Sequence, residues 1–288
     1  MTVGEALRET GRRLEVLGTG RLDATLLLEH VTGATRESFI TGDARALTPG
    51  EHAALAQAVE RRLTGMPIAY ITGVTGFYGR TFAVDARVLV PRPETEHLLE
   101  AALEALRAGG KAAPRIADIG TGSGAIAITL AAELPAAWVF GTDISHGAID
   151  VARRNAARNN VFQQCTFLHG DLAQPLGRFA PFDAIVANLP YVPTEAIPPE
   201  PDPVAFEPPL ALDGGSDGLF LYRRLIEQLP AILAPEATVF LEAAPGTIEP
   251  LAELVAAAFP GARVEIGADY AGLPRFLTCE HTPKGRGL

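Results

Sequence analysis

The sequence predicts an α/β protein: a doubly wound, mostly parallel sheet of seven strands, preceded by a small N-terminal helical bundle and a linking β-hairpin. Three observations predict it. Strand-like and helix-like segments alternate from Arg115 onward, the pattern of a parallel sheet covered by crossover helices. Residues 1–72 instead show helical periodicity with little strand signal. Glycine-rich and polar clusters recur just after apolar strands, where ligands sit in such sheets.

The elements follow in order. Leu7, Leu14 and Leu17 share one helical face. Asp23 can start a second helix holding Leu26, Leu27, Leu28 and Val31, ended near Gly33. Pro49-Gly50-Glu51 starts a third, with Leu55, Val59 and Leu63 as its stripe and Gly65-Met66-Pro67 as its stop. Between Ile68 and Val90 the β-formers Phe77, Tyr78, Phe82, Val84, Val88 and Val90, with turn residues Gly76 and Gly79, predict a hairpin. Pro91 to Glu96 stiffens the chain and opens a helix carrying Leu98, Leu99, Leu103 and Leu106. Strands are expected at Arg115–Ile119, Trp138–Thr142, Thr166–Leu168, Asp183–Ala187, Thr238–Glu242, Val264–Ile266 and Phe276–Cys279. Helices are expected to end near Glu133 and to cover Ser145–Asn159, Leu219–Leu233 and Ile248–Ala258. The predicted domains are 1–72 (helical, substrate recognition), 73–92 (hairpin linker) and 93–288 (the sheet domain).

Composition narrows the function. Apolar residues make up 48% of the chain, ample for a core, and 29 glycines and 23 prolines supply many turns. Cys165 and Cys279 are isolated in expected strands and read as small buried hydrophobes. With no CxxC or Cys/His cluster, no metal site is expected. The N-terminal residues lack a signal peptide's apolar stretch, and no apolar run approaches the roughly 20 residues of a membrane span. A cytoplasmic protein without membrane contact, and a monomer, is expected. Net charge is −10, and Lys/Arg occur in nothing longer than doublets and the tail Lys284-Gly285-Arg286. A protein that binds mainly by neutralising phosphates usually presents a basic face, so nucleic acid is disfavoured as substrate.

Asp118-Ile119-Gly120-Thr121-Gly122-Ser123-Gly124 is a glycine-rich strand-to-helix turn. Glycine permits positive φ and removes a Cβ that would keep a ligand from the backbone. Gly120, Gly122 and Ala125 also satisfy the dinucleotide pattern GxGxxA, so spacing alone fits NAD as well. Asp143 lies 23 residues after Gly120, at a strand end, where a carboxylate can accept from both ribose hydroxyls of either cofactor. A purely structural account also exists, with Gly122 as a tight turn and Asp143 as a helix N-cap. Two features favour S-adenosylmethionine (SAM). Gly124 is a third glycine that the NAD pattern does not require. Asp171-Leu172, after the third strand, offers an acceptor for an adenine amino group and an apolar cover for the ring, although an Asp there is also an ordinary turn residue.

Asn188-Leu189-Pro190-Tyr191 follows the apolar strand Asp183–Ala187. An amide nitrogen is a poor nucleophile because its lone pair is delocalised into the carbonyl. Two acceptors taking its two N–H protons raise its electron density and aim the lone pair. The Asn188 side-chain oxygen is one such acceptor and the Leu189 carbonyl the second. Pro190 stiffens the turn, and Tyr191 can stack on a flat acceptor group. The expected catalytic residues are Asn188 and Tyr191, with Leu189 and Pro190 binding substrate. The expected cofactor residues are Gly120, Thr121, Gly122, Ser123, Gly124, Asp143, Asp171, Leu172 and Asn188.

The sequence resembles the HemK/PrmC family, the peptide chain release factor N5-glutamine methyltransferases. The resemblance runs through Phe77-Tyr78-Gly79, Val90-Pro91-Arg92-Pro93-Glu94-Thr95-Glu96, Asp118 to Ala127, Thr142-Asp143-Ile144-Ser145, Asn188 to Tyr191, Phe206-Glu207-Pro208 and Asp217-Gly218-Leu219. It implies a class I SAM-dependent methyltransferase sheet, SAM at Gly120–Gly124 and Asp143 with Leu172 at the adenine, and a release factor's Gly-Gly-Gln glutamine at Asn188–Tyr191. It further implies that the helical domain helps grip the release factor and that Arg92 and Glu207 lie near the site. Leu189 stands where the family usually has Pro; a backbone carbonyl serves there equally well. Glu242-Ala243-Ala244-Pro245-Gly246 departs from the usual Glu-Ile-Gly and is expected to alter a loop without touching the transfer residues. The alternatives are a ribosomal-protein glutamine methyltransferase, a DNA or RNA amino-methyltransferase, an NAD-dependent oxidoreductase and a SAM-binding module without turnover. The oxidoreductase leaves Asn188–Tyr191 unexplained, and the turnover-free module leaves Asn188 and Tyr191 without a purpose.

Overall fold

Short apolar strands and amphipathic helices form where the hydrophobic periods place them. The computed structural model describes residues 1–35, 37, 39 and 45–281; the basic tail Lys284-Gly285-Arg286 lies outside them. The chain divides into two units, Met1–Val74 with Pro198–Phe206, and Thr75–Ile197 with Glu207–Leu288. The segment expected as a separate linker, 73–92, thus falls in the larger unit from Thr75 onward.

The smaller unit contains α1 (Val3–Leu14), α2 (Gly20–Thr32), α3 (Pro49–Leu63) and α4 (Ile68–Thr72). Helices α1 and α3 each begin with a reciprocal capping box, Thr2 with Glu5 and Thr48 with Glu51, which satisfies orphan N–H groups at both starts. Leu14, Leu27, Leu28, Leu55 and Val59 form the core, with Leu7, Leu17 and Leu63 packed on it half-buried. The buried Arg62 guanidinium meets Asp23 at 2.7 Å and donates to the Gly65 and Met66 carbonyls after α3. A five-residue helix at Ile68–Thr72 lies within the residues 1–72 expected to be helical. Pro67 opens it and Gly73, at φ +76°, closes it.

The hairpin is shorter than expected: β1 (Val74–Phe77) and β2 (Arg80–Ala83). Val84, Val88 and Val90 are buried without forming a strand. Then come α5 (Thr95–Ala108), β3 (Arg115–Ile119), α6 (Ala125–Glu133), β4 (Trp138–Asp143), α7 (His146–Arg158), β5 (Cys165–His169), β6 (Phe182–Ala187), α8 (Phe220–Gln228), β7 (Leu233–Glu242), α9 (Ile248–Ala258), β8 (Arg263–Ala268) and β9 (Pro274–Glu280). The seven-stranded sheet has the order β5-β4-β3-β6-β7-β9-β8, with β9 antiparallel to both neighbours. One apolar layer packs on each face.

The chain runs outward from β3 to β4 and β5, then returns to place β6 beside β3. The strand order therefore reverses between β3 and β6, where an open sheet leaves a crevice at its carboxyl edge. Ile119 pairs with Ala187, so the turns beginning at Gly120 and Asn188 leave the sheet side by side.

Candidate functional site

That crevice holds a cavity of about 620 Å³, within the range of small-molecule sites. Gly120, Thr121, Gly122, Ser123, Asp143, Asp171, Leu172, Asn188, Leu189 and Pro190 all line it. Gly124 and Tyr191 are not among the lining residues.

The glycine turn is held from below. Gly120 and Thr121 both donate to the Thr142 carbonyl, at 2.9 and 2.8 Å. Gly122 donates to Asp143 Oδ2 at 2.9 Å, and Ser145 donates to Asp143 Oδ1 at 2.8 Å. Each carboxylate oxygen has accepted one bond and retains capacity for another. Burial raises the Asp143 pKa, and the Ser145 and Gly122 bonds work against that rise. The N-cap of α7 is Ser145, whose hydroxyl accepts from Ala148, so Asp143 is not the cap. Asp118, nearly fully buried, accepts from the Thr121 hydroxyl at 2.6 Å and the Ala127 amide at 3.1 Å. Burial pushes its carboxyl up to about 7.

The three glycines divide by role. Gly120 has φ +74°, and a Cβ there would meet Leu189 Cδ2 at 2.8 Å, so the two turns are in intimate contact. Gly122 has φ +55°, and a Cβ would meet nothing closer than 3.9 Å, so its surroundings are open. Gly124 has φ +82°, and a Cβ would press on Ile128 Cδ1 at 2.8 Å and Ala152 at 3.2 Å. Packing of α6 on α7 thus requires Gly124, and its glycine does not discriminate between cofactors as the sequence suggested.

Asp171 reaches the cavity with one oxygen engaged: Oδ2 accepts from Gln174 Nε2 at 3.1 Å and pairs with Arg224. Among the described residues nothing bonds to Oδ1. Leu172 is held at φ +50° and is buried at the cavity wall.

At the second turn, Asn188 donates its Nδ2 to Thr95 Oγ1 at 2.9 Å. Oδ1, the side chain's acceptor, has no donor among the described residues. The Leu189 amide donates to the Tyr222 hydroxyl at 3.1 Å, and that hydroxyl donates to the Glu242 carbonyl. Among the described residues no donor reaches the Leu189 carbonyl. A Cβ on Gly214 would meet the Pro190 carbonyl at 2.8 Å, and one on Gly218 the Tyr191 carbonyl at 2.3 Å, which is why glycines underlie this turn. Tyr191 packs on the apolar core and donates its hydroxyl to Glu242 Oε1 at 3.3 Å. Burial raises the Tyr191 pKa, and Glu242 adds to the rise.

The flanking motifs brace this site. Glu207 is buried, accepts from the Val90 amide at 3.0 Å and pairs with Arg92, joining segments 115 residues apart. Arg92 lines the cavity. Glu96 accepts from the Tyr78 amide at 2.7 Å, so the Pro-Arg-Pro-Glu-Thr-Glu element ties the hairpin to α5. Asn155, fully buried on α7, accepts from the Ala83 amide and donates to the Ala83 and Ser123 carbonyls, fastening β2 to the glycine turn.

Thr95, Tyr222, Glu242, Asn155 and Asp118 escaped sequence reasoning as site-organising residues. Glu242 in particular touches Tyr191, contrary to the expectation that its segment leaves the transfer residues alone. One signal was available: an acidic residue ending the apolar strand of a parallel sheet sits at the ligand-binding edge.

The residues present suit SAM: a glycine turn with open space at Gly122, a carboxylate with spare acceptor capacity and an apolar wall at Leu172. Fold and site together define a class I SAM-dependent methyltransferase. The family model for the PrmC N-terminal domain matches residues 5–73, and that for ribosomal protein L11 methyltransferase (PrmA) matches residues 94–195. A release factor glutamine methyltransferase of Moorella thermoacetica is 40% identical over 277 residues, covering 96% of this chain and 97% of that one. One of Bacillus cereus is 38% identical over 283 residues, covering 97% and 99%. The chain belongs to the release factor glutamine methyltransferase family. Among solved structures, the T. Thermophilus 16S rRNA N2 G1207 methyltransferase (RsmC), in complex with AdoMet and guanosine, aligns at TM-score 0.53 and 22% identity, covering 72% of this chain and 49% of that one. The hMettl16 catalytic domain in complex with MAT2A 3'UTR hairpin 6 aligns at TM-score 0.55 and 16% identity, covering 81% and 82%. These two likenesses concern the fold alone.

Proposed function

We propose that this protein transfers a methyl group from SAM to the side-chain amide nitrogen of the glutamine in the Gly-Gly-Gln loop of peptide chain release factors. The observation that carries the reading is a pair of acceptors with no donor among the described residues, Asn188 Oδ1 and the Leu189 carbonyl, on a cavity-lining turn packed against Gly120. When bound, SAM would supply a methyl group on a cationic sulfur, which the amide lone pair takes as the carbon–sulfur bond breaks to leave a neutral thioether, and the methylated nitrogen then gives up one proton to solvent. The chain's own residues do the rest. Asp143 and the Gly120–Ser123 turn hold the cofactor's ribose and amino-acid end. Leu172 covers its adenine, and Asp171 Oδ1 accepts from the adenine amine. Asn188 and Leu189 take the two amide protons, fix the nitrogen's orientation and raise its electron density. Positioning of this kind is the largest catalytic contribution asked of the site. No strong base is needed beforehand, because the nitrogen becomes far more acidic once methylated.

The match of residues 5–73 to the PrmC N-terminal model supports a release factor rather than a ribosomal protein as the acceptor. The helical unit helps recognise it. The reading places the reaction in the cytoplasm, in a monomer, with no direct contact to nucleic acid. No helix among the described residues is long and apolar enough to cross a membrane. Incubation with labelled SAM and, separately, release factor, ribosomal proteins and duplex DNA tests the reading. Label is expected in the release factor and is expected to vanish on Gln→Ala in its Gly-Gly-Gln loop. Label confined to ribosomal protein or DNA overturns the reading.

A further inference from the structure

Strand pairing places a carboxyl group behind the acceptor turn. Ala187 at the end of β6 pairs with Leu241 of β7, so the next residues, Asn188 just past β6 and Glu242 at the end of β7, are neighbours. Glu242 is 2% exposed. Its Oε1 accepts from the Tyr191 hydroxyl at 3.3 Å, and its backbone carbonyl accepts from Tyr222, whose oxygen in turn takes the Leu189 amide. Its Oε2 is buried and has no partner among the described residues. Leaving an acceptor of a buried carboxyl unused costs free energy, and such a group in a native fold calls for a reason. The Thr95 hydroxyl is close enough to this carboxyl to lower its pKa, with no hydrogen bond formed between them in this structure. Having accepted from Asn188 Nδ2, it still has one proton to donate.

We propose that Glu242 is a positioning residue for methyl transfer: its carboxyl receives the Thr95 and Tyr191 hydroxyls, and Thr95 thereby holds the Asn188 amide with Oδ1 turned to the acceptor nitrogen. The proposal rests on the reading of Asn188 as the substrate-amide acceptor. It adds a chain of named groups, Glu242 to Thr95 to Asn188 on one side and Glu242 to Tyr222 to Leu189 on the other, that sets both substrate acceptors from one residue. It also gives Tyr191 a task that does not require its ring to reach the cavity.

The charge state of Glu242 matters to this arrangement, since only the ionised carboxyl accepts on both oxygens without donating. Burial pushes it up to about 7; the Thr95 and Tyr191 hydroxyls oppose the rise. The charged or titratable groups facing it are Glu94 before α5, Arg275 on β9, Tyr191 after β6 and Tyr222 on α8. Glu94 raises it further and Arg275 lowers it.

The test is steady-state methyl transfer from labelled SAM to purified release factor, with SAM affinity by calorimetry and fold by circular dichroism. Glu242→Ala is expected to lower kcat at least ~30-fold with SAM Kd changed less than about threefold, because orientation and not cofactor contact is lost. Glu242→Gln, which keeps an acceptor for Tyr191, is expected to recover to within roughly fivefold of wild type, but without the wild-type rise in kcat through pH near 7. Thr95→Val is expected to match the loss of Glu242→Ala and Thr95→Ser to restore activity, which keeps the test available if Glu242→Ala does not fold. The double variant Glu242→Ala, Thr95→Val is expected to be no worse than either single, since both act through one acceptor. A Glu242→Ala or Thr95→Val enzyme within about threefold of wild type, or losses that appear in SAM affinity, would overturn the proposal. A wild-type enzyme that leaves the release factor unlabelled overturns the functional reading as well. A wild-type enzyme that labels it no faster than the variants do overturns this inference alone.

Discussion

Replacing Asn188 by Ala removes one acceptor and one clamp together. The lost acceptor is Oδ1, worth about 0.5–1.5 kcal/mol as an ordinary hydrogen bond to a substrate N–H. The lost clamp is the 2.9 Å bond from Nδ2 to Thr95, which holds the turn in register with α5. Freed from it, the acceptor nitrogen loses its alignment, and misplacement by about 1 Å costs on the order of 100-fold in rate. Together these predict a fall in kcat/KM of at least ~100-fold, or about 2.7 kcal/mol. SAM affinity should change little, because the glycine turn is held by Thr142 and Asp143 and not by Asn188. Initial rates with release factor, paired with calorimetric titration of SAM, separate the two effects. Equal losses in rate and SAM affinity would refute the reasoning and make Asn188 a cofactor or folding residue.

Three further outcomes follow from the same geometry. Asp143→Ala should weaken SAM binding by about 1.5–3 kcal/mol, the worth of a charge-assisted hydrogen bond; unchanged affinity by calorimetry would remove Asp143 from the site. Gly124→Ala should destabilise the fold by roughly 1–3 kcal/mol, from strain at φ +82° and crowding against Ile128 and Ala152, while the folded fraction keeps its SAM affinity. Urea unfolding in parallel with binding checks both halves, and a selective loss of SAM would return Gly124 to the cofactor site. Asp118 titrates at about 7 when folded against 3.8 ordinarily, so the folded state holds the extra proton between those values. Its contribution is present below pH ~4 and lost as pH rises through ~7, each tenfold difference in proton affinity being worth about 1.4 kcal/mol. Unfolding free energies at pH 5 and pH 8 should therefore differ less in Asp118→Asn than in wild type; an unchanged difference would contradict the burial argument.

Local patterns were legible where local physics decides them. Strand Arg115–Ile119 and helix Ile248–Ala258 appear with the expected limits, because an apolar run before glycines and a stripe after a turn are short-range signals. The extent of the hairpin was less legible: the β-formers Val84, Val88 and Val90 are buried without joining a strand. The position of antiparallel β9 between β7 and β8 depends on long-range pairing that no window of sequence contains. The site divides in the same way. The two turns announce themselves by glycine and by Asn-x-Pro-Tyr, while their supports lie far off in the chain. Thr95 meets Asn188 from 93 residues away, and Glu207 meets Arg92 from 115. The Tyr191 phenol is visible in the motif, but its partner Glu242 lies 51 residues further on.

The most direct measurement of the central claim is mass spectrometry of release factor after incubation with SAM and either wild-type protein or Asn188→Ala. One added methyl on the Gly-Gly-Gln glutamine side chain, formed by wild type and nearly absent with the variant, is the predicted result. Methylation at another residue, or an undiminished yield from Asn188→Ala, would contradict an amide held between Asn188 and the Leu189 carbonyl.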